Sequence, residues 1–142
     1  MMINQGNNFI IDDCIEELGE EEIQLIFGSA NDADKTLIIT FEVEKRLEYG
    51  KALYILGSIP ELGNWGVNAL RMECSCDIYW TLETIIETDR KRFGFEYKFF
   101  ICDWDNNKKP SYRLFEPGLN RTFQANLTKP KTRKFVKGVW GK

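Results

Sequence analysis

Residues 36–44 read TLIITFEVE, and this stretch decides the fold class of the chain. Apolar side chains stand at every second position: Leu37, Ile39, Phe41 and Val43. Threonine and glutamate side chains stand between them from residue 40 onward. Successive side chains of a β-strand point to opposite faces, so a period of two predicts a strand with one buried face and one solvated face.

Similar patterns follow along the rest of the chain. Further short strands are predicted at residues 53–56, 78–86, 95–101, 112–115, 121–127 and 134–140. Turn-forming residues separate them at positions 49–50, 57–60, 105–107 and 117–118. No strong helical pattern appears after residue 35. We therefore expect an all-β fold, an antiparallel β-sandwich of seven to eight strands that is immunoglobulin-like.

The first 34 residues differ from the remainder in charge. They contain nine acidic residues and no basic one. We expect an acidic N-terminal arm at residues 1–34, for which helix and added strand both stay open, and a β-sandwich domain at 35–142. The basic residues after position 128 favour a solvated strand and tail over a nucleic-acid site, because the acidic arm would compete with phosphate for them.

Composition excludes several classes of site. The 142 residues include no histidine, which removes Ser-His-Asp triads, Cys-His dyads and imidazole acid–base chemistry. The segment 103–107, DWDNN, begins like a calcium loop but lacks the glycine and glutamate that such a loop needs. We expect a binding module rather than an enzyme, with no catalytic residues, no metal and no cofactor.

The same sequence gives an expectation about location. No run of eighteen apolar residues is present and the N-terminus has no secretory pattern. The four cysteines lack the spacing of a zinc or redox site, so free thiols in a reducing compartment are expected. These features predict a cytoplasmic protein that does not contact membranes.

Trp65 is the aromatic residue that fits the strand pattern least. It lies between Asn64 and Gly66, outside any alternating segment. A loop tryptophan is either a local plug or an exposed stacking platform, and both interpretations stay open.

Three ordered motifs resemble the starch-binding domain, the carbohydrate-binding module family 20. They are YGKALYILGSIPELGNW at 49–65, FEYKF at 95–99 and FEPGLNR at 115–121, and VKGVW at 136–140 looks like the last strand of that family. The resemblance covers residues 36–140. It implies a β-sandwich that binds α-1,4-linked glucan, as a polysaccharide or a maltooligosaccharide, at two surface sites.

For the first site, the resemblance implies a binding role for Trp65, Lys98, Phe115 and Asn120. Phe115 replaces a family tryptophan, and the loop before it is about five residues longer than in the family. Trp104, Tyr112 or Glu116 are therefore possible additions to this site. For the second site the resemblance implies Tyr49 and Trp80, although Trp80 also fits a core position.

The resemblance implies a non-catalytic module that targets an enzyme, on the same or a partner chain, to starch, amylopectin or glycogen. The glycogen-binding module of kinase-type complexes fits the motif spacing less well. A β-sandwich protein-interaction domain that has lost carbohydrate binding is the alternative from another class.

Overall fold

A computed structural model describes residues 33–142. The acidic arm predicted at 1–34 therefore lies outside the described residues except for its last two positions. The described part contains nine strands and two short 3-10 helices, Pro60–Leu62 and Pro110–Tyr112. The strands are β1 (Lys35–Glu44), β2 (Lys51–Gly57), β3 (Leu70–Arg71), β4 (Glu73–Ser75), β5 (Tyr79–Thr88), β6 (Arg92–Asp103), β7 (Leu114–Phe115), β8 (Arg121–Asn126) and β9 (Lys131–Val139).

The strands form two sheets. The first sheet has the order β4-β5-β1-β9, and the second has the order β3-β2-β6-β7, with β8 pairing along the other half of β6. The prediction of an all-β sandwich is confirmed. One pair departs from the antiparallel expectation, because β9 runs parallel to β1, with Thr36 opposite Lys131.

The core lies between the inner faces of these sheets. The four alternating apolar residues of β1 are fully buried, as the period of two predicts. Phe41 of β1 meets the second sheet directly, with ring centroids 5.1 Å from Tyr97 and 6.4 Å from Phe95 of β6. Full burial of each such side chain stabilises the fold by about 1.5–3 kcal/mol.

The outer face of the second sheet is also apolar where β2 and β6 pair. Leu53 and Ile55, on either side of Tyr54 in β2, face the core, so Tyr54 points to the outer face, where it lies opposite Phe100. Both Tyr54 and Phe100 are nevertheless buried. The Tyr54 and Phe100 rings stack with centroids 5.1 Å apart and planes inclined by 6°. The second sheet therefore has a second apolar layer, on its outer face, on which the candidate site is built.

Three other findings concern the described residues only. No helix among residues 33–142 has the length and apolar character needed to cross a membrane. No group of three or more potential metal-ligating side chains lies together in this range. Cys74 and Cys76 are exposed and Cys102 is buried, all three as free thiols.

Candidate functional site

Trp65 lies in the loop that follows the helix Pro60–Leu62. The backbone there is left-handed at three successive residues, with φ of 88° at Gly63, 51° at Asn64 and 59° at Trp65. Residues other than glycine rarely adopt this conformation, so surrounding contacts have to hold it. One such contact is the hydrogen bond from the Trp65 amide to the Gly57 carbonyl, at 2.9 Å. The Trp65 side chain is 40% exposed, so it is not a core residue.

Gly63 explains why this loop follows the helix so closely. A Cβ atom at Gly63 would approach the Asn68 carbonyl oxygen to 2.7 Å, and the positive φ would strain any other residue. Leu62, immediately before it, is fully buried. The loop is therefore anchored in the core on one side and presents Trp65 to solvent on the other.

Phe115 lies on β7 and pairs with Phe100 of β6. The two ring centroids are 5.0 Å apart, and Phe115 remains 37% exposed. Since Phe100 also stacks on Tyr54, Phe115 is the exposed end of a row of three rings on the outer face of the second sheet. Part of its surface is therefore available to stack on a ligand.

Lys98 on β6 and Asn120 in the turn between β7 and β8 each make a hydrogen bond that joins this turn to β6. Lys98 Nζ donates a hydrogen bond to the Gly118 carbonyl at 2.5 Å. Asn120 Nδ2 donates to Glu96 Oε1 at 3.0 Å. Glu96 and Lys98 are two residues apart on β6, so they share the outer face with Phe100. These two bonds hold the turn against that face.

Strand β6 thus brings the four residues implied for the first site together. Phe115 pairs at position 100, Lys98 belongs to the strand, and Asn120 bonds to Glu96. The Trp65 loop joins through Gly57, which pairs with Tyr97 of β6. All four therefore lie around one stretch of the second sheet.

Arg113, which no sequence motif marks, connects the Trp65 loop to the start of β7. Its Nε donates to the Asn107 carbonyl at 2.6 Å, and Nη1 and Nη2 donate to the carbonyls of Gly66 and Val67 at 2.8 and 3.0 Å. Its guanidinium carbon lies 4.7 Å from the centroid of the Phe100 ring. No spacing or motif distinguishes this arginine from the other basic residues in the sequence.

Glu116 is buried, and the expectation that it adds to the ligand contacts is corrected. It is 3% exposed, and its carboxylate accepts bonds from Arg121 Nε and Nη2, both at 2.9 Å. The amides of Phe99 and Gly141 donate to the same carboxylate at 3.2 Å. Burial raises the pKa of Glu116, but these hydrogen bonds outweigh burial and hold the pKa below its usual value. Groups of the protein therefore use the hydrogen-bonding capacity of the Glu116 carboxylate.

Tyr112 lies on the opposite side of the second sheet from Phe115, whereas Trp104 lies beside β3. Tyr112 lines a cleft with Leu114 and Ile101, which pair on the side of the sheet opposite Phe115. Trp104 is exposed at the β3 side, with the Arg71 guanidinium carbon 4.8 Å from its ring centroid. The longer loop therefore does not place Tyr112 beside Phe115.

Of the two residues that the resemblance implies for the second site, the structure exposes Tyr49 and buries Trp80. Tyr49 is fully exposed at the turn between β1 and β2. Trp80 is only 8% exposed, and its Nε1 donates to the Lys45 carbonyl at 2.9 Å. It faces the core on β5, because it shares the face of Thr84 and Ile86, so it presents no surface platform.

Comparisons with known proteins identify a family and a shared fold. The family model described as "Starch binding domain" matches residues 36–135. No curated protein matches the sequence. Among solved structures, the family 20 carbohydrate-binding module of the maltotetraose-forming amylase from Pseudomonas saccharophila STB07 is similar with a TM-score of 0.51 and 19% identity. That match covers 70% of this chain and 99% of the other.

Two whole enzymes contain a similar fold. The family 15 glucoamylase from Hypocrea jecorina matches with a TM-score of 0.61 and 17% identity, over 78% of this chain and 18% of that one. The gamma-CGTase from alkalophilic Bacillus clarkii matches with a TM-score of 0.58 and 24% identity, over 75% of this chain and 15% of that one. The chain spans less than a fifth of either enzyme. From the match over residues 36–135, the chain belongs to the starch-binding domain family, whose members are non-catalytic carbohydrate-binding modules.

Proposed function

We propose that this domain binds α-1,4-linked glucan on the outer face of the second sheet, through Trp65, Phe115, Lys98 and Asn120. The observation that carries the proposal is the position of two partly exposed aromatic rings next to two polar side chains around β6. Trp65 and Phe115 supply apolar surfaces, and Lys98 and Asn120 supply hydrogen-bonding groups.

The aromatic rings would supply most of the binding free energy. The C–H face of a glucose ring is apolar and stacks on an aromatic plane. Burying about 100 Å² of apolar area per stacked glucose contributes roughly 2–3 kcal/mol. After the cost of association, two such contacts correspond to a Kd on the order of micromolar to millimolar.

The polar residues retain bonding capacity for glucose hydroxyls. The Lys98 ammonium has three donors, and its bond to Gly118 uses one of them. Asn120 uses one Nδ2 hydrogen on Glu96, which leaves a second N–H and the Oδ1 acceptor. These groups would orient the hydroxyl edge of a sugar while the rings hold its face.

A matched pair of variants tests this proposal. We expect Trp65→Ala to abolish pull-down on insoluble starch and to weaken β-cyclodextrin binding below the level that calorimetry detects, leaving only weak residual binding at high ligand concentration. Its melting temperature should stay within a few degrees of the parent, because the side chain is half-exposed. Phe135→Ala, which removes an exposed aromatic residue from β9 of the first sheet, is the control and should bind normally. Normal binding by Trp65→Ala, or a large loss of its stability, would reject the site.

The proposal includes a role beside an enzyme. The similar regions of the glucoamylase and the gamma-CGTase are small parts of enzyme chains, which supports a targeting role for this domain beside a catalytic domain on the same or a partner chain. We extend the proposal to a cytoplasmic glucan, with starch, amylopectin and glycogen as the candidate polymers. Comparative pull-down on the three polymers, with cellulose as the negative control, tests this extension.

The alternative, a protein-interaction domain without carbohydrate binding, predicts a different result. It predicts no retention of the parent domain on insoluble starch and no heat of binding with β-cyclodextrin. Those two results together would favour it over the glucan-binding proposal.

A further inference from the structure

Arg113 contacts both the Trp65 loop and the aromatic row that ends in Phe115. On one side, it donates two hydrogen bonds to the loop of Trp65, at the carbonyls of Gly66 and Val67. On the other side, its guanidinium lies over Phe100, whose ring contacts Phe115. A third donor, Nε, bonds to Asn107 within the long loop that precedes β7.

We propose that Arg113 is a positioning residue that sets Trp65 relative to Phe115 and so fixes the spacing of the two stacking surfaces. This inference rests on the proposed glucan site. In this proposal the long loop 104–113 supports the Trp65 loop through Arg113. It does not itself supply an additional stacking surface.

The chemistry of arginine suits this role. The guanidinium is a rigid planar fork, so three of its donors can reach three fixed carbonyls while its flat face rests on an aromatic ring. Lysine offers a single ammonium on a flexible stem and cannot make the same set of contacts. Arg113 therefore fixes both the distance and the orientation of the Trp65 loop. A lysine at this position would keep the positive charge but would not fix that geometry.

The Trp65 loop also needs such a restraint. Asn64 and Trp65 both have positive φ, a conformation that costs free energy and persists only where neighbouring contacts impose it. The Arg113 bonds act at the next two residues, Gly66 and Val67. Without them, the loop would sample other conformations, and the ligand would have to order it on binding, at an entropic cost.

The test compares Arg113→Met and Arg113→Lys with the parent domain. Both should weaken β-cyclodextrin binding, Arg113→Met by about tenfold and Arg113→Lys by somewhat less. Arg71→Met is the matched control, because the Arg71 guanidinium also lies over an exposed aromatic ring, that of Trp104. It should change affinity by less than twofold.

A double-substitution cycle separates positioning from a general structural role. If Arg113 acts through Trp65, Arg113→Met should cost less than twofold in a Trp65→Ala background, measured by chemical-shift titration at high ligand concentration. An equal loss in both backgrounds, or parent-like affinity of a folded Arg113→Met, would overturn the proposal. If Arg113→Met does not fold, the same criteria apply to Arg113→Lys.

A ligand-free measurement keeps this proposal distinct from the proposed function. The Trp65 indole N–H resonance should show faster local motion in Arg113→Met than in the parent, by ¹⁵N relaxation. A parent domain that does not bind β-cyclodextrin would reject the glucan site. An unchanged indole relaxation would reject the positioning role.

Discussion

At the scale of single residues, position decides what each aromatic side chain can do. Trp65 and Trp80 are the same residue type, yet one is held half-exposed by a left-handed loop and the other donates its indole N–H to Lys45 inside the sandwich. Phe115 is exposed because β7 is short and lies at the edge of the second sheet. Residue type alone therefore does not identify a stacking surface.

Phe115 offers a prediction at this scale. Phe115→Trp should tighten β-cyclodextrin binding by about two- to fivefold, because indole adds apolar area to the contact. Phe115→Ala should weaken it. Calorimetry on both variants measures the effect.

Trp104→Ala is the matched comparison, since Trp104 is exposed on the same sheet but at its β3 side. It should leave affinity unchanged. If Trp104→Ala costs more affinity than Phe115→Ala, the long loop carries the site and the assignment of Phe115 is wrong.

At the scale of elements, the partly buried ion pair between Glu116 and Arg121 connects three strands. Glu116 accepts from the Phe99 amide of β6, and Arg121 opens β8 and donates through Nη2 to the Val139 carbonyl of β9 at 2.8 Å. Because β9 belongs to the first sheet, the pair connects the two sheets beside the candidate site. Removing one partner of a fully buried pair costs about 3–5 kcal/mol, and the cost here should be smaller because the Arg121 side chain is 20% exposed.

The pair predicts a specific acid sensitivity. The pKa of Glu116 is lower in the folded state than its ordinary value of 4.5, since its hydrogen bonds outweigh the effect of burial. The stability it contributes is therefore complete above pH 4.5 and is lost as the pH falls through the lower folded-state pKa. Denaturant unfolding between pH 7 and pH 3 should show this loss.

Glu116→Gln is the control for that experiment. It should be less stable than the parent at pH 7 and should lack the part of the acid dependence that Glu116 causes. A parent and a Glu116→Gln variant with the same pH dependence would contradict the assignment.

At the scale of the whole molecule, the sequence predicted what one strand at a time can reveal. The alternation in β1 located one inner face correctly, and the motif at 49–65 placed Trp65 outside the strands. The pattern did not reveal the parallel pairing of β9 with β1, because the side-chain period is two in either direction. Nor did it reveal that Glu116 is buried or that Arg113 joins two loops, since both depend on contacts between distant segments.

A titration of the ¹⁵N-labelled domain with β-cyclodextrin, followed by amide and indole chemical shifts, would locate the glucan site directly. The largest changes should fall on the Trp65 indole, Lys98, Phe115 and the turn at 117–120. Phe135 on the first sheet and Tyr112 in its cleft should change little. Changes concentrated on the first sheet or on that cleft, with the Trp65 indole unmoved, would contradict the account.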